Sequence, residues 1–276
     1  KKTKKLAYTS LFITFSWILY YELDSVAIGK ILGANKVAIY AIGLTVLSFY
    51  RNILGILYSP FNVRFNHFIG KGDEIALKNF LLQILTFFAP FIVFPILTIT
   101  LLAESIVLTW VGYKYTSSIF VVKFLTLCNV FAFISYPTNA ILMAKERLKE
   151  LYFINTLLPF VYWIGIFFTT KYFEVNSFAI FKFVTFFISA LFFSKLMIEY
   201  LNLKFITLLR EIIFPMVLPL IFIFSVSYLI FDYLPEKKSI LNLIIIVLII
   251  LVVISLSLIL QFLTSFNFRN QILSLL

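Results

Sequence analysis

The sequence predicts an all-α, polytopic helical membrane protein with eight transmembrane helices, and three observations carry that expectation. Eight apolar stretches fill the chain almost from end to end, each at or above the ~20 residues a helix needs to cross a ~30 Å hydrocarbon core. The composition is 62% hydrophobic and 13% charged, with 35 Phe among 276 residues; soluble domains hold roughly 45–50% apolar residues. The stretches are continuously apolar, whereas the strands of a membrane β-barrel would alternate over ~10 residues. Helices remain, because lipid offers no partner to an unpaired backbone amide or carbonyl.

Taken in order, the first span runs from Leu6 to Gly29 and carries Glu22 and Asp24 in its outer half. The second, Ile39 to Pro60, holds Arg51 and Asn52 near its middle. Phe61 to Asn79 is the longest non-spanning stretch and mixes Arg64, His67, Lys71, Asp73, Glu74 and Lys78 with Phe61, Phe65 and Phe68. It reads as an amphipathic helix on the inner leaflet with a turn at Gly70 to Gly72. The third span, Phe80 to Ala103, contains Pro90 and Pro95, and the outer turn Glu104 to Thr116 follows. The fourth, Ser117 to Met143, contains Lys123, Cys128 and Pro137; the fifth, Leu148 to Thr169, contains Pro159. The sixth, Ser177 to Tyr200, has Lys182 and Lys195 near opposite ends; the seventh, Ile212 to Phe231, has Pro215 and Pro219; the eighth is Ile240 to Leu263. Proline removes an intrahelical bond and bends a helix. In a transporter such bends act as pivots, but proline is also commoner in membrane helices generally.

A net charge of +11 in a soluble chain would point to nucleic acid, but here the basic residues sit mainly in the turns. Their roles are orientation and contact with anionic headgroups, and no nucleic-acid partner is expected. With Lys1 inside, thirteen basic residues fall on the inner side (Lys1, Lys2, Lys4, Lys5, Arg64, Lys71, Lys78, Lys145, Arg147, Lys149, Lys204, Arg210 and Arg269). Six fall outside: Lys30, Lys36, Lys114, Lys171, Lys237 and Lys238. The bias puts both chain ends in the cytoplasm. The chain opens on Lys1 with no signal-peptide pattern, and reads as a piece of a longer protein.

Ionisable side chains inside spans are costly and mark candidate functional positions. Arg51, with Asn52 beside it, sits where snorkelling is hardest; it is either a structural partner, for instance to Asp24, or a cation lining a wet cavity. Its planar fork matches phosphate oxygens, which suits a pyrophosphate headgroup. Lys123 is a second candidate for such a lumen, while Lys182 and Lys195 read as snorkelling anchors. Asp24 is either a coupling-ion or proton site or a salt-bridge partner. His67 is the only histidine and Cys128 the only cysteine, so neither a metal site nor a disulfide is expected. No Walker A loop, dinucleotide fingerprint or nucleophile elbow occurs, so no cofactor is expected and ATP-driven transport by this chain alone is unsupported.

The run Tyr21-Glu-Leu-Asp-Ser-Val-Ala-Ile-Gly-Lys-Ile-Leu-Gly-Ala-Asn-Lys-Val-Ala-Ile-Tyr40, followed by Ala41-Ile-Gly43, resembles the polysaccharide flippases of the O-antigen and capsule type. These belong to the multidrug/oligosaccharidyl-lipid/polysaccharide exporter superfamily. The matching positions are Asp24, Ile28, Gly29, Gly33 and Tyr40. Ser59-Pro60, Gly70-Lys71-Gly72-Asp73, Trp110-Val-Gly112 and Leu142-Met-Ala-Lys-Glu-Arg147 are similar to the family's succession of turns. The resemblance implies a MATE-like two-lobe transporter of which this chain is the C-terminal portion. Residues 1–200 would form a six-helix C-terminal lobe and residues 201–276 two additional transmembrane helices, the N-terminal lobe being missing. It also implies a substrate, undecaprenyl pyrophosphate-linked oligosaccharide, moved across the bacterial inner membrane by two lobes rocking around a cationic cavity, with partners in the polysaccharide assembly machinery. Arg51, Asn52 and Lys123 would hold pyrophosphate or acidic sugars, and Asp24 would serve coupling, to protons or sodium, or structure.

Two alternatives stand beside this one. An ion-coupled drug or small-molecule exporter of the same superfamily shares the architecture. A polytopic O-antigen polymerase or glycosyltransferase fits less well, because such enzymes need a sizeable outer loop with catalytic groups and the outer turns here are short. The expectation is therefore a transporter and not an enzyme.

Overall fold

The computed structural model describes residues 2–202, 204, 206 and 209–273, with the side chains of residues 2–7, 9 and 10 left aside. Lys1 and the side chains of Lys2, Lys4 and Lys5, counted in the basic inner set, therefore lie outside the described residues. The fold is all-helical. Its helices are α1 (Lys2–Tyr21), α2 (Leu23–Leu32), α3 (Ala34–Lys71), α4 (Glu74–Leu101), α5 (Ala103–Trp110), α6 (Ser118–Leu127), α7 (Ala132–Ala144), α8 (Leu148–Phe173), α9 (Val175–Leu201), α10 (Phe214–Ile230), α11 (Ile240–Thr264) and α12 (Phe266–Leu273). Eight helical stretches among the described residues are long and apolar enough to cross a membrane: Leu11–Leu32, Ala34–Lys71, Glu74–Leu101, Ser118–Ala144, Leu148–Phe173, Val175–Leu201, Leu209–Tyr233 and Ile240–Thr264. They coincide in number and order with the spans read from hydropathy, and a multi-pass membrane protein is the result.

The outer surface fits a bilayer. Along α10, Val217, Leu218, Ile221 and Phe224 are exposed, and along α11 Leu241, Ile244, Leu248, Leu251 and Val252 are exposed. Apolar side chains turned outward from a helical bundle meet lipid tails, which are as apolar as they are. The inner seams use small residues instead. A Cβ added at Gly43 of α3 would stand 2.8 Å from Val121 Cγ1 of α6, and one added at Gly165 of α8 would collide with the Phe181 ring on α9.

Turns gather at two ends, as alternating spans require. At one end Lys36, just after the α2–α3 turn, pairs with Glu174 of the α8–α9 turn. At the same end Tyr113 donates to Glu236 at 2.7 Å, an interaction that raises the phenol's pKa above its ordinary value, and Ser239 N donates to Thr109 O at 3.2 Å. At the other end Glu74, beside the α3–α4 turn, accepts from Lys145 at 2.6 Å and from Tyr200 at 2.6 Å. The connections assigned to one face by the positive-inside count thus share one end of the bundle.

Several local expectations need correction. Phe61 to Asn79 is not a separate surface helix: α3 continues through Pro60 to Lys71, and residues from Glu74 onward already belong to α4. Pro60 is exposed on the helix. At 38 residues, α3 is about 57 Å long and outruns the hydrocarbon core. The turn does fall where expected, with Gly72 at φ 69°, the left-handed conformation that closes a helix. Pro90, Pro95, Pro137, Pro159 and Pro219 lie inside continuous helices. Pro215 occupies the first turn of α10, directly after a π-helical turn at Leu209–Ile213. The fourth span changes pitch not at Pro137 but earlier, in a 3₁₀ segment at Cys128–Phe131. The first span breaks at Glu22, between α1 and α2, with no proline or glycine to announce it. Helices α10 and α11 pack on each other and on α4, with α11 also against α5.

Candidate functional site: a buried ion pair beside an intramembrane cavity

The α2–α3 hairpin turns at Gly33, whose φ of 88° lies in the region glycine favours. Asp24 lies nine residues before that turn, Tyr40 seven after it, and Lys182 eight residues beyond the Glu174 turn. At 1.5 Å per residue all three therefore sit about 10–14 Å along their helices from the same end of the bundle. They meet there. Lys182 Nζ is 2.8 Å from Asp24 Oδ2, and the two side chains are 0% and 1% exposed. Tyr40 Oη donates to Asp24 Oδ2 at 2.7 Å and Ser25 N donates to Asp24 Oδ1 at 2.8 Å. Both carboxylate oxygens are therefore occupied, as a charge removed from water requires.

Lys182 is held as fully. Its ammonium also donates to the backbone carbonyl of Tyr20 and faces the rings of Tyr162 at 4.6 Å and Tyr21 at 5.0 Å. One residue earlier, Trp163 Nε1 donates to Leu19 O at 2.8 Å. Side chains of α8 and α9 thus hold the last carbonyls before the Glu22 break, where polar backbone has no water to turn to. Lys182 is not a snorkelling anchor but the cation of a buried network. Lys195, by contrast, is exposed and among the described residues pairs with Glu199, at 3.9 Å.

Arg51 does not pair with Asp24. Its guanidinium lies 5.2 Å from the Trp17 ring centroid and 5.1 Å from that of Tyr21. The nearest carboxylate is Glu22, at 3.9 Å. That contact is long and Glu22 is 58% exposed, so the arginine is oriented mainly by the two rings. The backbone carbonyl of Arg51 accepts from Tyr136 Oη at 3.5 Å.

Trp17, Tyr21 and Tyr136, three of the residues that meet Arg51, line a cavity of about 310 Å³ among the helices, together with Asn129, Ser135, Asn139, Asn155 and Ser189. Its size and its mostly aromatic and apolar wall set with a few polar groups match a small-molecule site. Asn52 is exposed on α3. Lys123 lines a different depression at the Gly33 end, with Lys36, Glu174 and Asn176. The sequence-derived candidates therefore divide into three places: Arg51 beside the central cavity, Lys123 in the depression at one end, and Asp24 in the ion-pair network. Tyr20, Tyr162 and Trp163 join that network without any signal in the sequence beyond lying inside spans. Comparison with known protein families, with curated proteins and with solved structures finds no match for this chain.

Proposed function

We propose that the protein is a flippase that moves undecaprenyl pyrophosphate-linked oligosaccharide across the bacterial inner membrane for surface polysaccharide assembly. Arg51 carries this reading: a guanidinium near the middle of a span, set against Trp17 and Tyr21, two residues of a cavity wall, and only loosely met by an exposed carboxylate. An arginine so placed offers its fork to a phosphate as the headgroup passes, while the lipid tail stays in the bilayer. The Asp24 to Tyr40 run that resembles such flippases supports it from the sequence side. The protein would then act as a carrier and not an enzyme, with both chain ends in the cytoplasm.

Proteoliposomes test this. Those containing the protein expose fluorescent polyprenyl pyrophosphate oligosaccharide to an impermeant enzyme from both leaflets, while protein-free vesicles protect half of it. Equal protection in both would overturn the reading.

A second reading, the ion-coupled exporter of small molecules, is favoured by the Asp24–Lys182 pair, a proton-accepting and a proton-donating group locked together within the bundle. Drug extrusion that collapses with the proton or sodium gradient, with no lipid flipping, would select it.

A further inference from the structure

A second concavity of about 560 Å³ opens toward the end of the bundle opposite Gly33, lined by Gly55, Tyr58, Ser59, Asn62 and Asn66 of α3 and by Tyr136, Asn139 and Met143 of α7. The α3 residues at 55, 59, 62 and 66 recur at helical spacing and make one face, as do 136, 139 and 143 on α7. Tyr136 and Asn139 also line the central cavity, so the two spaces adjoin at that pair.

Among the described residues no charged side chain lines either space, Arg51 reaching the central cavity only through its contacts with Trp17 and Tyr21. The groups that face them are carboxamides (Asn62, Asn66, Asn139, Asn129, Asn155), hydroxyls (Ser59, Ser135, Ser189) and aromatic rings, with Tyr58 and Tyr136 stacked at 5.4 Å. Solvation by the cytoplasm accounts for exposed Asn62 and Asn66, but not for an uncharged polar wall that continues past Asn139 into the bundle. A carboxamide donates and accepts side by side, which matches adjacent hydroxyls, and flat rings match the C–H faces of a pyranose.

We infer that the groove and the cavity form one binding track for uncharged sugar units, with Tyr136 and Asn139 at its neck. The inference rests on the flippase reading and deepens it, giving the sugars a site separate from the pyrophosphate group assigned to Arg51.

The test uses the protein in nanodiscs with three probes: a neutral N-acetylglucosamine tetramer, an acidic galacturonate tetramer and sugar-free polyprenyl pyrophosphate. The neutral tetramer is expected to bind. Asn62→Ala with Asn66→Ala should weaken it about tenfold while leaving the sugar-free lipid unchanged, since both residues are exposed, line only the groove, and lose hydrogen bonds only to what occupies it. Equal or tighter binding of the acidic tetramer overturns the inference, as does an unaltered affinity in the double variant. A change of oligomeric state in that variant also overturns it, and makes the groove a helix-docking face. Neutral sugar bound without any binding of the sugar-free lipid would sink the flippase reading and leave the track standing; the reverse result would do the opposite.

Discussion

Lys182 and Asp24 are separated by 157 residues in the chain yet close a 2.8 Å ion pair, sealed from solvent, between α9 and α2. Breaking such a pair leaves an uncompensated charge where water is absent. Lys182→Met or Asp24→Asn alone should therefore destabilise the protein by about 3–5 kcal/mol, while Asp24→Leu combined with Lys182→Met should recover most of the loss. Thermal unfolding in detergent of Asp24→Leu, Lys182→Met and the double that combines them reads this. Additive losses would mean that the two residues act independently.

Tyr40 carries the third arm of the network, through its 2.7 Å bond to Asp24. Tyr40→Phe should cost about 1.5–3 kcal/mol, the range for a hydrogen bond to a charged group. The same change in the Asp24→Asn background should cost less. An equal cost in both backgrounds would show that Tyr40 stabilises by packing alone.

The α8–α9 seam depends on Gly165, whose added Cβ would collide with the Phe181 ring. Gly165→Ala should destabilise by about 1–3 kcal/mol. Phe181→Leu should relieve part of that penalty, although alone it is destabilising. Unfolding of the three variants checks it, and the absence of rescue would place the strain elsewhere.

The two-ended grouping of turns predicts labelling from opposite sides. In a Cys128→Ala background, Ser117→Cys should react with an impermeant maleimide in intact cells, and Lys149→Cys only after permeabilisation. The reverse pattern would invert the orientation read from the basic turns.

The spans were legible because hydropathy over some twenty residues is a property of the chain alone. The Asp24–Tyr40 bond was not read from the sequence, which offered Arg51 as the partner of Asp24, although its ends lie only sixteen residues apart on one hairpin that turns at Gly33. Nor was the role of Lys182. Near the end of a span a lysine normally snorkels, and only the tyrosines that α1 and α8 bring around it make it a buried partner. The break at Glu22 was equally hidden, because side chains from distant helices, Trp163 and Lys182, hold the carbonyls there. Pro60 misled in the other direction: a proline marks a boundary by local rules, yet α3 passes through it, with its packed face supplied by Leu54, Tyr58 and Phe65.

Arg51 is the residue on which the functional account turns, and the initial rate of lipid-linked oligosaccharide flipping in proteoliposomes is the measurement that reaches it. Arg51→Ala should lower that rate at least about tenfold and Arg51→Lys should keep an intermediate rate, since an ammonium retains the charge but loses the fork. Arg51→Ala vesicles that flip as fast as wild type, with the protein folded and inserted, would contradict the account.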